Sequence, residues 1–242
     1  MSTFNIKFQT ADSLPAPFAH AIEINGKFLT SGEVEIDFDL SYLSREDLTE
    51  EEILEEGFST NDDYKWQGTL PKVWGNLLLG NLKTSPVLKI DSITEFQDYW
   101  QLEHDNKVFF PKNHEQWKFL VEEIQQAILE FEKIEAPLLL NIIRINSEEK
   151  YKLGITASFY ERTLTLERTE LENNKSAKKK LNWEELNFIL KNIYSGEFLE
   201  EKAIKSPSKN GLFVNLGDEF WFEVGKGLLV SPSNITKVLG LW

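Results

Sequence analysis

The stretch PKNHEQWKFLVEEIQQAILEFEKIEAP, Pro111 to Pro137, decides how the chain is divided. Its apolar residues Trp117, Leu120, Val121, Ile124, Ile128, Phe131 and Ile134 recur at spacings of three and four, which is one stripe of an amphipathic helix. Asn113 is placed as an N-cap with Gln116 three residues on. Pro137 is expected to stop the helix, because it has no N–H to donate and pushes residue 136 out of the α region. Phe119 and Leu129 lie off the stripe, so a second face is expected to be partly covered.

Working outward from this helix, the sequence on either side follows one order twice. Before it, Phe4 to Phe8 alternates like a strand. Phe18, His20, Ile22 and Ile24 alternate next and run into Asn25-Gly26, a strong hairpin signal. In the return strand Val34, Ile36, Phe38, Leu40 and Tyr42 share one side, and Glu33, Glu35, Asp37, Asp39 and Ser41 the other. Thr49 with Glu52 caps a short acidic helix that Gly57 ends. Thr69 caps a helix carrying Leu70, Val73, Trp74, Leu77 and Leu78, with Gly80 at its end. Val87 to Ile90, Phe96 to Leu102 and Lys107 to Phe110 read as three further strands.

After the helix, Leu138 to Asn146 and Tyr151 to Phe159 repeat the hairpin. Asn182 with Glu185 caps a helix carrying Leu186, Ile189, Leu190, Ile193 and Tyr194, followed by Gly196. These positions match Leu70 to Gly80 at a constant offset of 116. A meander of Leu212 to Leu216, Phe220 to Val224 and Leu228 to Ser231 follows. Phe220-Trp221 matches Tyr99-Trp100, and Pro232-Ser-Asn234 matches Pro111-Lys-Asn113, both at an offset of 121. The expected fold is therefore α+β: two similar units of antiparallel sheet and helix, related by internal duplication and packed as a pseudo-dimer. Residues 1–135 form the first unit, ending in the long helix, and residues 136–242 the second.

Composition bounds the function. Of 242 residues 41% are hydrophobic and 12% aromatic, enough to build a core. There is no cysteine, which excludes disulfides, thiolate metal sites and a cysteine nucleophile. No stretch approaches the ~20 apolar residues of a membrane span, and Asp12 and Glu23 interrupt the N-terminal region where a signal sequence would be apolar. The expected setting is the cytoplasm, with no membrane contact.

The net charge of −14 opposes nucleic-acid binding, which needs a basic face. Glu33 to Asp63 hold 13 acids and one base, Arg45. In the second unit Lys175, Lys178, Lys179 and Lys180 occupy the corresponding loop, so an acidic and a basic loop stand in equivalent places.

Catalytic signatures are missing. His20, His104 and His114 share no metal spacing and no triad pattern, and there is no GxxxxGK, GxGxxG or GxSxG. Asn61-Asp62-Asp63 lacks the EF-hand spacing and reads as a turn. No catalytic residue, metal ligand or cofactor is assigned. Glu33, Glu35, Asp37 and Asp39 form a ladder of like charges roughly 6–7 Å apart. The repulsion invites a basic partner, a divalent cation, or plain solvation of an edge strand. The expected function is a non-enzymatic interaction protein that binds a basic protein through the acidic segment 33–63, with Glu33, Glu35, Asp37 and Asp39 as contacts. The rival expectation is a small-molecule-binding protein or enzyme with its site in the groove between the units, with Trp100 and Trp221 as ligand-binding aromatics.

Overall fold

A computed structural model describes residues 2–88 and 97–242 of the chain. The backbone divides into two compact units, Met1–Ile128 and Leu129–Trp242. The class is α+β, with a six-stranded antiparallel sheet in each unit.

In the first unit β1 (Thr3–Gln9), β2 (His20–Phe28) and β3 (Val34–Tyr42) form a meander. A single 3-10 turn (Arg45–Asp47) and α1 (Glu50–Glu55) intervene before β4 (Tyr64–Leu70). Then come α2 (Lys72–Thr84), β5 (Tyr99–His104), β6 (Lys107–Phe109) and α3 (His114–Phe131). The strand order is β4-β3-β2-β1-β5-β6. Alternation puts Phe4, Ile6, Phe8, Ile22, Ile24, Val34, Ile36, Phe38, Leu40, Trp100 and Leu102 on one buried side. The buried stripes of α2 (Trp74, Leu78, Leu82) and α3 (Trp117, Leu120, Val121, Ile124, Ala127, Ile128) complete that core.

Several expectations need correcting here. Asn25-Gly26 does not turn: β2 runs straight through it, and the reversal falls at residues 29–33, where Gly32 takes φ +92°. Gly26 is in the strand because the Phe4 ring occupies the space a side chain would need; a Cβ there would lie 2.1 Å from Phe4 Cζ. Tertiary packing thus overrides a local turn signal. Thr69 caps no helix, since it lies within β4 and Pro71 stands at the junction with α2; Gly80 is interior to α2. The strand-facing Leu70 continued the helical stripe by chance across that junction. Of the three strands expected next, Val87 makes only an isolated bridge to Pro111, while Lys89, Ile90 and Phe96 lie outside the described residues.

The long helix forms, but it ends before Pro137. Lys133 takes a left-handed conformation (φ +60°), and the N–H groups of Ile134 and Glu135 turn back to the Leu129 carbonyl at 3.0 and 3.2 Å. The chain closes this end itself, so Phe131 and Ile134 are exposed instead of continuing the stripe. Phe119 is exposed too, which removes the expected second covered face at that position. Asn113 and Gln116 bond through their side-chain amides at 2.7 Å.

In the second unit β7 (Leu138–Ile145), β8 (Lys150–Ser158), β9 (Thr163–Glu170) and β10 (Ser176–Leu181) form the meander. They are followed by α4 (Glu185–Ile193), β11 (Glu197–Phe198), β12 (Gly211–Asn215), β13 (Phe222–Glu223), β14 (Leu228–Leu229) and α5 (Pro232–Leu239). The order β10-β9-β8-β7-β12-β13 repeats the first sheet's plan of fourth, third, second, first, fifth and sixth. β11 and β14 pair apart from it, so Leu228 does not extend the meander as expected. Leu140, Ile142, Leu153, Ile155, Leu164 and Leu166 meet Leu186, Ile189 and Ile193 of α4 and Ile235 and Val238 of α5 in one core.

The basic segment at Lys178 to Lys180 is not a loop. It is β10, at the sheet's edge, where lysines discourage further strand pairing. The two units diverge instead in the connection between third and fourth strands: 21 residues (43–63) in the first, five (171–175) in the second.

Candidate functional site

β3 is second in the order of a six-stranded sheet, between β4 and β2, so the acidic ladder lies on an interior strand and not on an edge. Register sets its neighbours. Glu35 stands between Lys27 and Thr69, Asp37 between Asn25 and Gln67, and Asp39 between Glu23 and Lys65. Lys65 Nζ meets Asp39 Oδ2 at 2.5 Å. Glu33 precedes the strand and accepts from Ser31 Oγ at 2.9 Å. Asp37 and Glu35 have no ion pair among the described residues. The face is therefore charged but only partly neutralised.

The 21-residue excursion carries the other nine acids of the segment 33–63: Glu46, Asp47, Glu50, Glu51, Glu52, Glu55, Glu56, Asp62 and Asp63. Its one base, Arg45, is committed internally. The Arg45 guanidinium donates to the carbonyls of Pro17 and Ser59 and to Asp62 Oδ2, the last two at 2.8 Å. It also lies over the Tyr42 ring, 3.6 Å from its centroid, and 4.8 Å from that of Phe58. Burial pushes the Asp62 pKa up, but hydrogen bonds from the Ser59 hydroxyl and N–H and from Arg45, with the Arg45 charge, outweigh it and hold the carboxyl below its usual value. Asp62 is thus fully occupied and Asp63 accepts from the Tyr42 N–H, which makes Asn61-Asp62-Asp63 a structural turn. Thr49 and Glu52 form the expected capping box at the start of α1, and Ile53 is its one buried residue. Leu54 beside it is 55% exposed among Glu50, Glu51 and Glu55.

A second feature is a cleft of about 540 Å³ within the first unit. Phe8 and Ile22 from the sheet, Trp100 at the start of β5 and Val121 from α3 line it as an apolar floor. Leu14 and Ser13 come from the β1–β2 connection. His20, Asp98, Lys118 and Glu122 bring four titratable groups to the same cleft. Lys118 Nζ is 3.9 Å from Asp98 Oδ2, and Asp98 also accepts from the Ala11 N–H at 3.0 Å. His20 Nδ1 lies 2.9 Å from the Phe18 carbonyl, which only accepts, so Nδ1 carries the proton and Nε2 of the neutral ring is an acceptor. Burial pushes the Glu122 pKa up, against Lys118 and His20, which lower it, and with Glu115, which raises it.

Of the other singled-out residues, His104 is held by Ser2 Oγ at 3.0 Å and His114 is exposed beside Glu115. Trp100 is buried on β5 against Phe8, with ring centroids 4.6 Å apart. Trp221 is half-buried and bridged to Ile204. The two tryptophans are not equivalent: Trp100 sits on the fifth strand of its sheet, while Trp221 immediately precedes the sixth of the other. No group of three or more acidic or histidine residues able to hold a metal occurs among the described residues. Among them no helix is long and apolar enough to cross a membrane.

Sequence reasoning noted Arg45 only as the segment's one base, not as its anchor, and missed Leu54, Lys118 and Glu122. Lys118 and Glu122 are four apart and flank the helical stripe at Val121, a signal that could have placed them at the border of the core. Comparison with protein-family models, with curated proteins and with solved structures finds no match.

Proposed function

We propose that this chain is a non-enzymatic cytoplasmic interaction protein that binds a basic protein through the acidic segment 33–63, with Glu33, Glu35, Asp37 and Asp39 among the contacts. The observation that carries this reading is the state of Arg45. It is the segment's only cation and is spent on internal bonds, so the surrounding carboxylates keep their charge for an external partner. Leu54 supplies an apolar anchor within that charge, the arrangement of an interface hot spot ringed by polar groups. The long-range field of the acids would speed association and make it salt-sensitive.

The shared strand order of the two sheets supports reading 1–135 and 136–242 as copies of one duplicated unit, with the 43–63 excursion as the addition that distinguishes the first. A scaffold that carries function on one variable connection is a common arrangement.

The test is affinity capture from lysate at low and high salt with three baits: wild type, a Glu33→Gln, Glu35→Gln, Asp37→Asn, Asp39→Asn variant, and Leu54→Ala. One protein held by wild type at low salt and lost with both variants is the expected result. Recovery that ignores Leu54 would mean charge-driven background, and equal recovery by all three would end the proposal.

A further inference from the structure

The cleft of the first unit holds an apolar floor and a charged rim, and the bonds already made there decide which rim groups are free. Lys118 faces Asp98, and these two charges offset each other. Asp98 is also held by the Ala11 N–H. His20 has used its Nδ1 proton on the Phe18 carbonyl. What remains is the Glu122 carboxylate, without an ion pair among the described residues, and the His20 Nε2 lone pair. Both accept hydrogen bonds. Lys118, the rim's cation, is set against Asp98, so Glu122 is the charge left over. Trp100 and Phe8, with ring centroids 4.6 Å apart, make the floor aromatic, and aromatic rings pair with cations as well as apolar groups. A volume near 540 Å³ suits a small organic molecule.

We propose that this cleft binds a small organic cation: a flat apolar body that lies on Trp100, Phe8, Ile22 and Val121, carrying a protonated primary amine that donates to Glu122 and His20. An ammonium group has three N–H donors and no acceptor, which complements this rim. A carboxylate ligand would instead face Asp98 and Glu122, with only the engaged Lys118 to receive it. The raised pKa of Glu122 agrees with the assignment: partial burial disfavours its charged form, and a cation bound beside it would favour that form.

The experiment is isothermal titration of the full chain with 2-phenylethylamine, with 2-phenylethanol as neutral isostere and phenylacetate as anion. The amine should bind at least tenfold more tightly than the alcohol, and phenylacetate more weakly than either. Glu122→Gln should weaken the amine about tenfold and leave the alcohol unchanged. Gln125→Trp, at a half-buried helical position lining the cleft, should block both without touching the core. The variants at Glu33, Glu35, Asp37 and Asp39 should keep amine binding, because none of those residues lines the cleft. No saturable binding of the amine, equal binding of the three probes, or amine binding indifferent to Glu122→Gln overturns the proposal. A preference for phenylacetate would make the cleft an anion site and overturn it equally.

Discussion

Phe4 lies over Gly26: the ring fills the core-side position that a side chain at residue 26 would take, with Phe4 Cζ only 2.1 Å from where a Cβ would sit. Gly26→Ala should therefore displace the ring and cost about 1–3 kcal/mol, as overpacking does. The same change in a Phe4→Leu background should cost much less. Gly154, a strand glycine in the second unit, has no atom nearer than 3.6 Å to that position. Gly154→Ala should be neutral or stabilise by up to about 1 kcal/mol. Denaturant unfolding of the four variants checks the set, and equal costs at both glycines would refute the ring-over-glycine account.

Arg45 joins residues 17, 59 and 62 to one guanidinium, so it ties the excursion to itself and to the connection between β1 and β2. Arg45→Ala should leave the Asp62 carboxylate without its cation and cost about 2 kcal/mol, less than a fully buried pair. Arg45→Lys should restore little, because lysine has neither the planar fork nor the stacking face. Limited proteolysis within 43–63 should accelerate in both variants. Unchanged cleavage would show that the excursion is anchored elsewhere.

The depressed pKa of Asp62 gives this anchoring an acid limit. A group whose folded pKa is lowered stabilises the fold above its unfolded value, here about 3.8, and that contribution disappears as pH falls through the folded pKa. Proteolysis of 43–63 should thus be flat from pH 7 to pH 5 and rise below pH 4, read with an acid-active protease on wild type and Asp62→Asn. The variant should show the fast cleavage at every pH.

Glu122 behaves in the opposite sense. Its folded pKa is raised, so its stabilising contribution is complete below the unfolded value, about 4.5, and is lost as pH climbs through the folded pKa. Glu122→Gln should stabilise the ligand-free chain slightly at pH 7, by under about 0.5 kcal/mol given its exposed setting, and not at all at pH 4. Lys118 and His20 lower the Glu122 pKa and Glu115 raises it, and all three should be left intact when melting temperatures are compared.

The parts of the fold that could be read from sequence are those whose own residues alternate between core and water. Val34 to Leu40 and the stripe from Trp117 to Ile128 are of this kind. β4 hid because its inward positions are Tyr64, Trp66, Gly68 and Leu70, and the glycine, which sits beneath the Trp66 ring, breaks the apolar period. β10 hid because Lys178 and Lys180 on one side and Ala177 and Lys179 on the other are all polar or small; its identity as a strand comes from pairing with β9. The cleft was illegible for a different reason. Phe8, Ile22, Trp100 and Val121 are each ordinary core residues in sequence, and only the packing of α3 near the start of β5 leaves space between them.

The placement of β5 beside β1 has a kinetic consequence. β1 to β4 follow one another as neighbours, so each pairing closes a short span; Gln9 meets Ala21 across 12 positions. Gln9 meets Tyr99 across 90. The longer closure costs about 2 kcal/mol more in chain entropy. The four-stranded meander is thus the part that can nucleate locally, and capture of β5 is the late step on which the amine cleft depends, since Trp100 arrives with it. A nascent first unit would expose its acidic face before it has a ligand site at all.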